Sequence, residues 1–153
     1  MEPTLAHVSR FRVAGLTVRT QNRDEMRQDS AQIPGLWGRF FAGDLANTIP
    51  GRLPDAPVVG VYSAYESDAN GWFNVTAGVP VSAASSDFDG IEIEEGSYLV
   101  FEARGAMPDA VIQGWGTIWQ YFDQHPEVQR RYATDFESYD GPDLVRIHIG
   151  VVA

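Results

Sequence analysis

The sequence predicts an α+β domain. Two pseudo-symmetric β-α-β-β units share one antiparallel sheet, carry two helices on one face and leave a ligand groove between the units. Three observations point there. Short runs alternate apolar and polar residues, as half-buried strands do. Two segments instead repeat apolar residues every three or four positions, the helical period. And the second half of the chain echoes the first.

The elements follow in order. HVSRFRVAGLTVRT at 7–20 is rich in β-branched and apolar residues and reads as a strand. A polar stretch, QNRDEMRQDSAQ, separates it from a helix. Ile33, Leu36, Trp37, Phe40, Phe41 and Leu45 share one side of that helix, and Pro34 suits its first turn. The proline-rich loop NTIPGRLPDAP closes it. VVGVYSAY at 58–65 and GWFNVTAGVPV at 71–81 form a hairpin over ESDAN. After the polar SAASSDFDG comes IEIEEGSYLVFEARG, two strand-like runs flanking a turn at Glu95-Gly96. Pro108 opens a second helix, with Ile112, Trp115, Trp119 and Phe122 at helical spacing. His125-Pro126 ends it, because a residue before proline avoids the helical region. ATDFESY at 133–139 and DLVRIHIGVV at 143–152 are the closing strands, turned by Gly141-Pro142.

The repeat is visible in the residues. IPGLWGRFF at 33–41 resembles IQGWGTIWQYF at 112–122, and FNVTAGVPV at 73–81 resembles VRIHIGVVA at 145–153. Gly78 and Gly150 both precede a valine. The expected units run from about 7 to 82 and from 91 to 153, within one domain covering 1–153. A length of 153 residues is enough for a single self-sufficient core.

Composition narrows the function. Cysteine is absent, which excludes disulfides, thiolate nucleophiles and cysteine-based metal sites. A formal charge of −10 with scattered basic residues argues against direct nucleic-acid binding. An acidic chain instead favours cations in its clefts, although charge also simply aids solubility. The opening MEPTLAHVSRF lacks the features of a signal peptide, and no apolar run is long enough to span a membrane, so a cytoplasmic protein is expected. His7, His125 and His148 do not stand at metal-ligand spacing, and AGDLANTIPG is not a phosphate loop, so neither a metal nor a cofactor is expected.

Four Trp, six Tyr and eight Phe make the chain rich in aromatic residues. Trp37, Trp115 and Trp119 border the expected groove; the plain alternative is that they pack as core. In TDFESYD, Glu137 and Tyr139 point to one side of a strand, Phe136 and Ser138 to the other. A carboxylate on an inner face needs a partner, because unpaired buried charge costs several kcal/mol. An organic cation can be that partner, helped by aromatic faces at about 0.5–2 kcal/mol each. The plain alternative is a Glu137 that points to water. Tyr62 and Tyr65 occupy the matching place in the first unit. The groove then has one acidic and one phenolic wall, which suits an aromatic cation. The orientation of Glu102 is open; facing inward, it would give the pocket a second carboxylate.

The doubled β-α-β-β order, the motif from Trp115 to Phe122, the strand FESYD and the closing RIHIGVV resemble the effector-binding domain of AraC-type and multidrug-sensing transcription regulators. The stand-alone version is the gyrase-inhibitory-protein-like (GyrI-like) family, and the acidic chain is similar to cationic-drug-binding proteins carried on integron gene cassettes. The resemblance spans roughly His7 to Val152 and implies that Glu137 sits in the ligand pocket. Regulators of this class carry a helix-turn-helix domain, for which this chain has no room, so a separate protein would have to read DNA if the chain serves in sensing.

The expected ligand is therefore a cationic or amphipathic aromatic molecule, bound for sequestration or sensing. Two alternatives stand beside it. Some relatives look like hydrolases of strained electrophiles, with Tyr62 or Tyr65 orienting substrate and Glu137 as base. A third possibility is an inhibitor that masks a protein partner with acidic runs such as ESD, SDFD and EIEE.

Overall fold

The computed structural model describes residues 3–67, 71–83 and 86–152. Residues 68–70 of the expected hairpin turn, 84 and 85 of the polar stretch, and 153 at the end of the second repeat lie outside them. The strands are β1 (Thr4–Val8), β2 (Phe11–Gln21), β3 (Val58–Ser63), β4 (Trp72–Val81), β5 (Asp89–Ile93), β6 (Gly96–Arg104), β7 (Thr134–Gly141) and β8 (Leu144–Gly150). The helices are α1 (Asn22–Glu25), α2 (Ile33–Ala42), α3 (Leu45–Thr48) and α4 (Asp109–Gln124).

All eight strands form one antiparallel sheet in the order β1-β6-β8-β7-β3-β4-β2-β5. Read from its centre, this order is symmetric: β7 matches β3, β8 matches β4, β6 matches β2 and β1 matches β5. The pseudo-twofold axis passes through the β3–β7 seam, where Gly60 pairs with Glu137 and Val61 with Phe136.

Two differences from the sequence reading have one cause. The run at 7–20 is two strands: β1 ends at Val8 and pairs with β6, whereas β2 starts at Phe11 and pairs with β4 and β5. The runs either side of Glu95-Gly96 likewise do not pair with each other: β5 joins β2, and β6 joins β1 and β8. Each half thus lends its first strand to the other half. Alternation reports which residues face inward and is blind to the partner strand, so neither crossing can be seen in the residues. Gly96 makes its crossing possible. Its φ is +154°, and a Cβ there would lie 2.2 Å from Arg131 Nη1.

Other boundaries shift more simply. α2 stops at Ala42 and Leu45 belongs to α3, so Leu45 is not part of the expected helical stripe. β3 ends at Ser63 and leaves Tyr65 beyond it, after Ala64 at φ +51°. α4 ends before His125-Pro126 as expected.

α2 and α4 lie on the same sheet face, one on each half. Leu36 and Phe40 of α2 pack over Phe73, Val75 and Ala77; Ile118 of α4 packs over Phe101, Val145 and Ile147. Each such side chain contributes about 1.5–3 kcal/mol by leaving water. The opposite face is closed by Val13, Val59, Val61, Ile93, Tyr98 and Phe136, drawn from five strands. Only a curled sheet brings those strands together. Trp115 of α4 touches both helix-side clusters and so bridges the two halves.

Candidate ligand-binding site

The site is built on the seam. On β7, Asp135, Glu137 and Tyr139 alternate onto the helix side, while Phe136 joins the opposite core. Glu137 is 2% exposed. Across the seam its neighbour is Gly60, and a Cβ on Gly60 would lie 2.9 Å from Glu137 Oε1 and 3.1 Å from Trp37 Cζ2. The missing side chain makes room for the carboxylate and the indole together.

Three neutral donors hold the carboxylate. The hydroxyl of Tyr62 and the indole Nε1–H of Trp115 each donate to Oε2 at 2.6 Å, and the hydroxyl of Tyr139 donates to Oε1 at 2.8 Å. They come from β3, α4 and β7, so the site is assembled from both halves. Burial pushes the Glu137 carboxyl above its usual range, while the bonds from Tyr62, Trp115 and Tyr139 pull the other way. Burial and the adjoining Glu137 carboxylate raise the phenols of Tyr62 and Tyr139, which therefore remain protonated donors. No basic side chain pairs with Glu137 among the described residues.

Above it opens a cavity of about 1070 Å³ between α2 and α4. Its wall is mostly apolar and includes Trp37, Trp115, Trp119, Tyr62, Tyr65 and Tyr139. Trp37 meets Tyr139 edge-on at 5.4 Å, and Trp115 meets Tyr62 edge-on at 5.0 Å. Trp119 stands at the mouth, 39% exposed, 6.5 Å from Trp115. Phe41, assigned by spacing to the packed side of its helix, is instead 63% exposed and stacks on Trp37 at the rim.

The seven residues singled out from the sequence all reach this cavity, but Tyr65 does so differently from Tyr62. Its hydroxyl bonds Asp135 Oδ2 at 2.5 Å, away from Glu137. Glu102 lies on the far face of the sheet, opposite Arg146, with which it forms an ion pair at 3.4 Å. The second inward carboxylate is Asp135, fully buried and paired with Arg130 at 2.8 Å. Asp135 was readable, since it stands two residues before Glu137 on the same strand. Arg130 carried no such signal, because the segment after α4 has no periodicity. Glu25 also reaches the cavity, but its oxygens accept the backbone N–H groups of Gln32 and Ile33 at the start of α2.

Among the described residues, no group of three or more His, Asp or Glu could hold a metal ion, and no helix is long and apolar enough to cross a membrane.

A curled antiparallel sheet with one helix on each half and a large apolar cavity floored by a buried acid defines a small-molecule effector-binding domain. The chain belongs to the Cass2 family of integron-associated effector-binding proteins, whose sequence profile matches residues 4–150. It superimposes on the integron cassette protein VCH_CASS2 from the mobile metagenome of Vibrio cholerae with a TM-score of 0.85. The two are 34% identical, over 99% of this chain and 97% of that one. SAV2435, solved with tetraphenylphosphonium bound, has the same fold: TM-score 0.79, 24% identity, 100% and 95% coverage. In Bacillus subtilis (strain 168), YobU, named for a role in transcriptional regulation, is 29% identical over 140 residues, 89% of this chain and 85% of its own length.

Proposed function

We propose that this effector-binding protein takes lipophilic organic cations, with Glu137 as the counter-ion and Trp37, Trp115, Trp119, Tyr62, Tyr65 and Tyr139 as the enclosing wall. One observation carries the reading. Glu137 is buried, held by three neutral donors, and pairs with no basic side chain among the described residues. A buried carboxylate in that condition costs several kcal/mol, and a bound cation offsets the cost. The surrounding rings add cation–π attraction, which strengthens as water is displaced. The tetraphenylphosphonium held by SAV2435 is a molecule of this kind and supports the choice. A cavity of about 1070 Å³ has room for a ligand of that bulk. Within a cell, such a protein either sequesters the cation or reports it through a separate partner that carries a DNA-binding domain.

Quenching of tryptophan fluorescence by tetraphenylphosphonium tests the reading. The expected result is saturable quenching by wild type, shifted to at least about tenfold higher ligand concentration in Glu137→Gln and undiminished by excess of a neutral tetraphenyl analogue. Equal binding of the neutral analogue would overturn it.

A further inference from the structure

A basic side chain also reaches the cavity wall. Arg130 lies between α4 and β7, lines the cavity, and has a side chain only 7% exposed. Its Nη2 donates to Asp135 Oδ2 at 2.8 Å, and its Cζ lies 4.5 Å from the centre of the Tyr132 ring. Asp135 is fully engaged: besides Arg130 it accepts the Tyr65 hydroxyl at 2.5 Å and the backbone N–H of Gly150 at 2.8 Å. The guanidinium is not. It has five N–H groups to place, yet its Nε is buried without a hydrogen-bond partner among the described residues. A buried donor left unpaired costs about 1–3 kcal/mol and calls for an explanation.

Position suggests the explanation. Asp135 and Glu137 are two residues apart on one strand face, a step of roughly 6.6 Å. The guanidinium, bonded to the first, therefore stands roughly 7–10 Å from the carboxylate of the second. One ligand can span both. We propose that Arg130 forms a second polar subsite of the cavity, which takes a neutral hydrogen-bond acceptor, such as a carbonyl oxygen, carried by the bound organic cation. This rests on the cation reading of Glu137. A neutral acceptor fits better than an anion, because Asp135 already balances the charge of Arg130 and a second anion would be left uncompensated. The Nε is closed to solvent in this structure, so binding requires a side-chain adjustment of the kind common at binding sites.

A matched pair of ligands separates the two ideas. Butyltriphenylphosphonium offers charge and aryl rings alone; (3-ethoxycarbonylpropyl)triphenylphosphonium adds an ester carbonyl a few bonds from the same cation. Wild type should bind the ester about tenfold more tightly, the factor that one charged hydrogen bond supplies. The advantage, read as the ratio of the two affinities within each protein, should vanish in the double variant Arg130→Met/Asp135→Asn. Arg130→Lys, which keeps the ion pair and removes Nε, should also lose most of it; this second variant decides the matter if the double variant does not fold. Equal affinity of wild type for the two compounds, or an ester preference that survives in both variants, overturns the Arg130 subsite and leaves the cation reading standing. Failure of wild type to bind either compound overturns both.

Discussion

Asp135 and Glu137 are two carboxylates on one strand, on one face, separated by a single residue. Both are buried, and each accepts a tyrosine hydroxyl, Asp135 from Tyr65 and Glu137 from Tyr62. They differ in charge balance. Asp135 has a guanidinium 2.8 Å away; among the described residues Glu137 has only neutral donors. Asp135 is thus complete, and its pair with Arg130 ties the segment after α4 to β7. Glu137 lacks the partner that Asp135 has, and its face opens on the cavity. The contrast teaches that burial of an acid is not by itself a sign of a binding site. The sign is burial with hydrogen bonds supplied and charge left unbalanced, because that carboxylate still gains from a cation.

The sharpest way to break this comparison is to remove each negative charge in turn. Asp135→Asn leaves Arg130 buried without its counter-ion, which should cost about 3–5 kcal/mol. Glu137→Gln removes an acid whose ionised form is disfavoured by burial, so urea unfolding should show unchanged or slightly higher stability. Similar losses in the two variants would mean that Glu137 has an internal partner after all. Ligand affinity should rank the other way: Glu137→Gln should lower binding of tetraphenylphosphonium by about tenfold to hundredfold, roughly 1.4–2.8 kcal/mol.

Gly60 sharpens the same contrast from across the seam. Gly60→Ala sets a methyl 2.9 Å from Glu137 Oε1 and 3.1 Å from the Trp37 ring. Overpacking of this kind costs about 1–3 kcal/mol. The expected outcome in thermal denaturation is a lower Tm, with weakened cation binding as the carboxylate is displaced. Full retention of both would mean that the seam is loosely packed.

Acidity offers a smaller, graded readout. The folded protein holds the Glu137 carboxyl above its usual range, chiefly by burial. The sign follows from that: its favourable contribution is fully present below the ordinary carboxylate pKa of about 4.3 and is lost as pH rises through the folded value. Ligand-free protein should therefore lose part of its stability across that window, and Glu137→Gln should not show this loss. Cation affinity should move oppositely, falling by up to about tenfold per pH unit below the folded value, because the acid must ionise to pair. Calorimetry in buffers of different ionisation enthalpy should record proton release on binding within that window. A pH-independent affinity would break the link.

Much of this contrast was open to reading, and the unread part has physical reasons. Glu137 and Tyr139 share a face by strand alternation, and the same rule places Asp135 beside them. Trp37, Trp115 and Trp119 follow from helical spacing, with the helix limits marked by Pro34 and His125-Pro126. What alternation leaves out is partnership. It records neither the exchange of β1 and β5 between the halves nor that Tyr65 would meet Asp135 and not Glu137. Arg130 lies in an aperiodic connection and is fixed there only by tertiary contacts. The charge balance of each acid depends on such contacts.

Trp119 supplies the smallest expected effect and bounds the proposed cation site from outside. It is 39% exposed at the cavity mouth, where water screens the field of a bound ion. Cation–π attraction at exposed positions is about 0.5–1 kcal/mol, against about 2 kcal/mol where the ion is desolvated. Trp119→Leu keeps the apolar bulk and removes the ring face, so tetraphenylphosphonium affinity should fall only about two- to fivefold. The same exchange at Trp37, which is half-buried and meets Tyr139 at 5.4 Å, should cost more. Measured side by side, the two losses locate the positive centre. A larger loss at Trp119 would put the cation at the mouth, too far from Glu137 to need it, and would return that carboxylate to the same structural standing as Asp135.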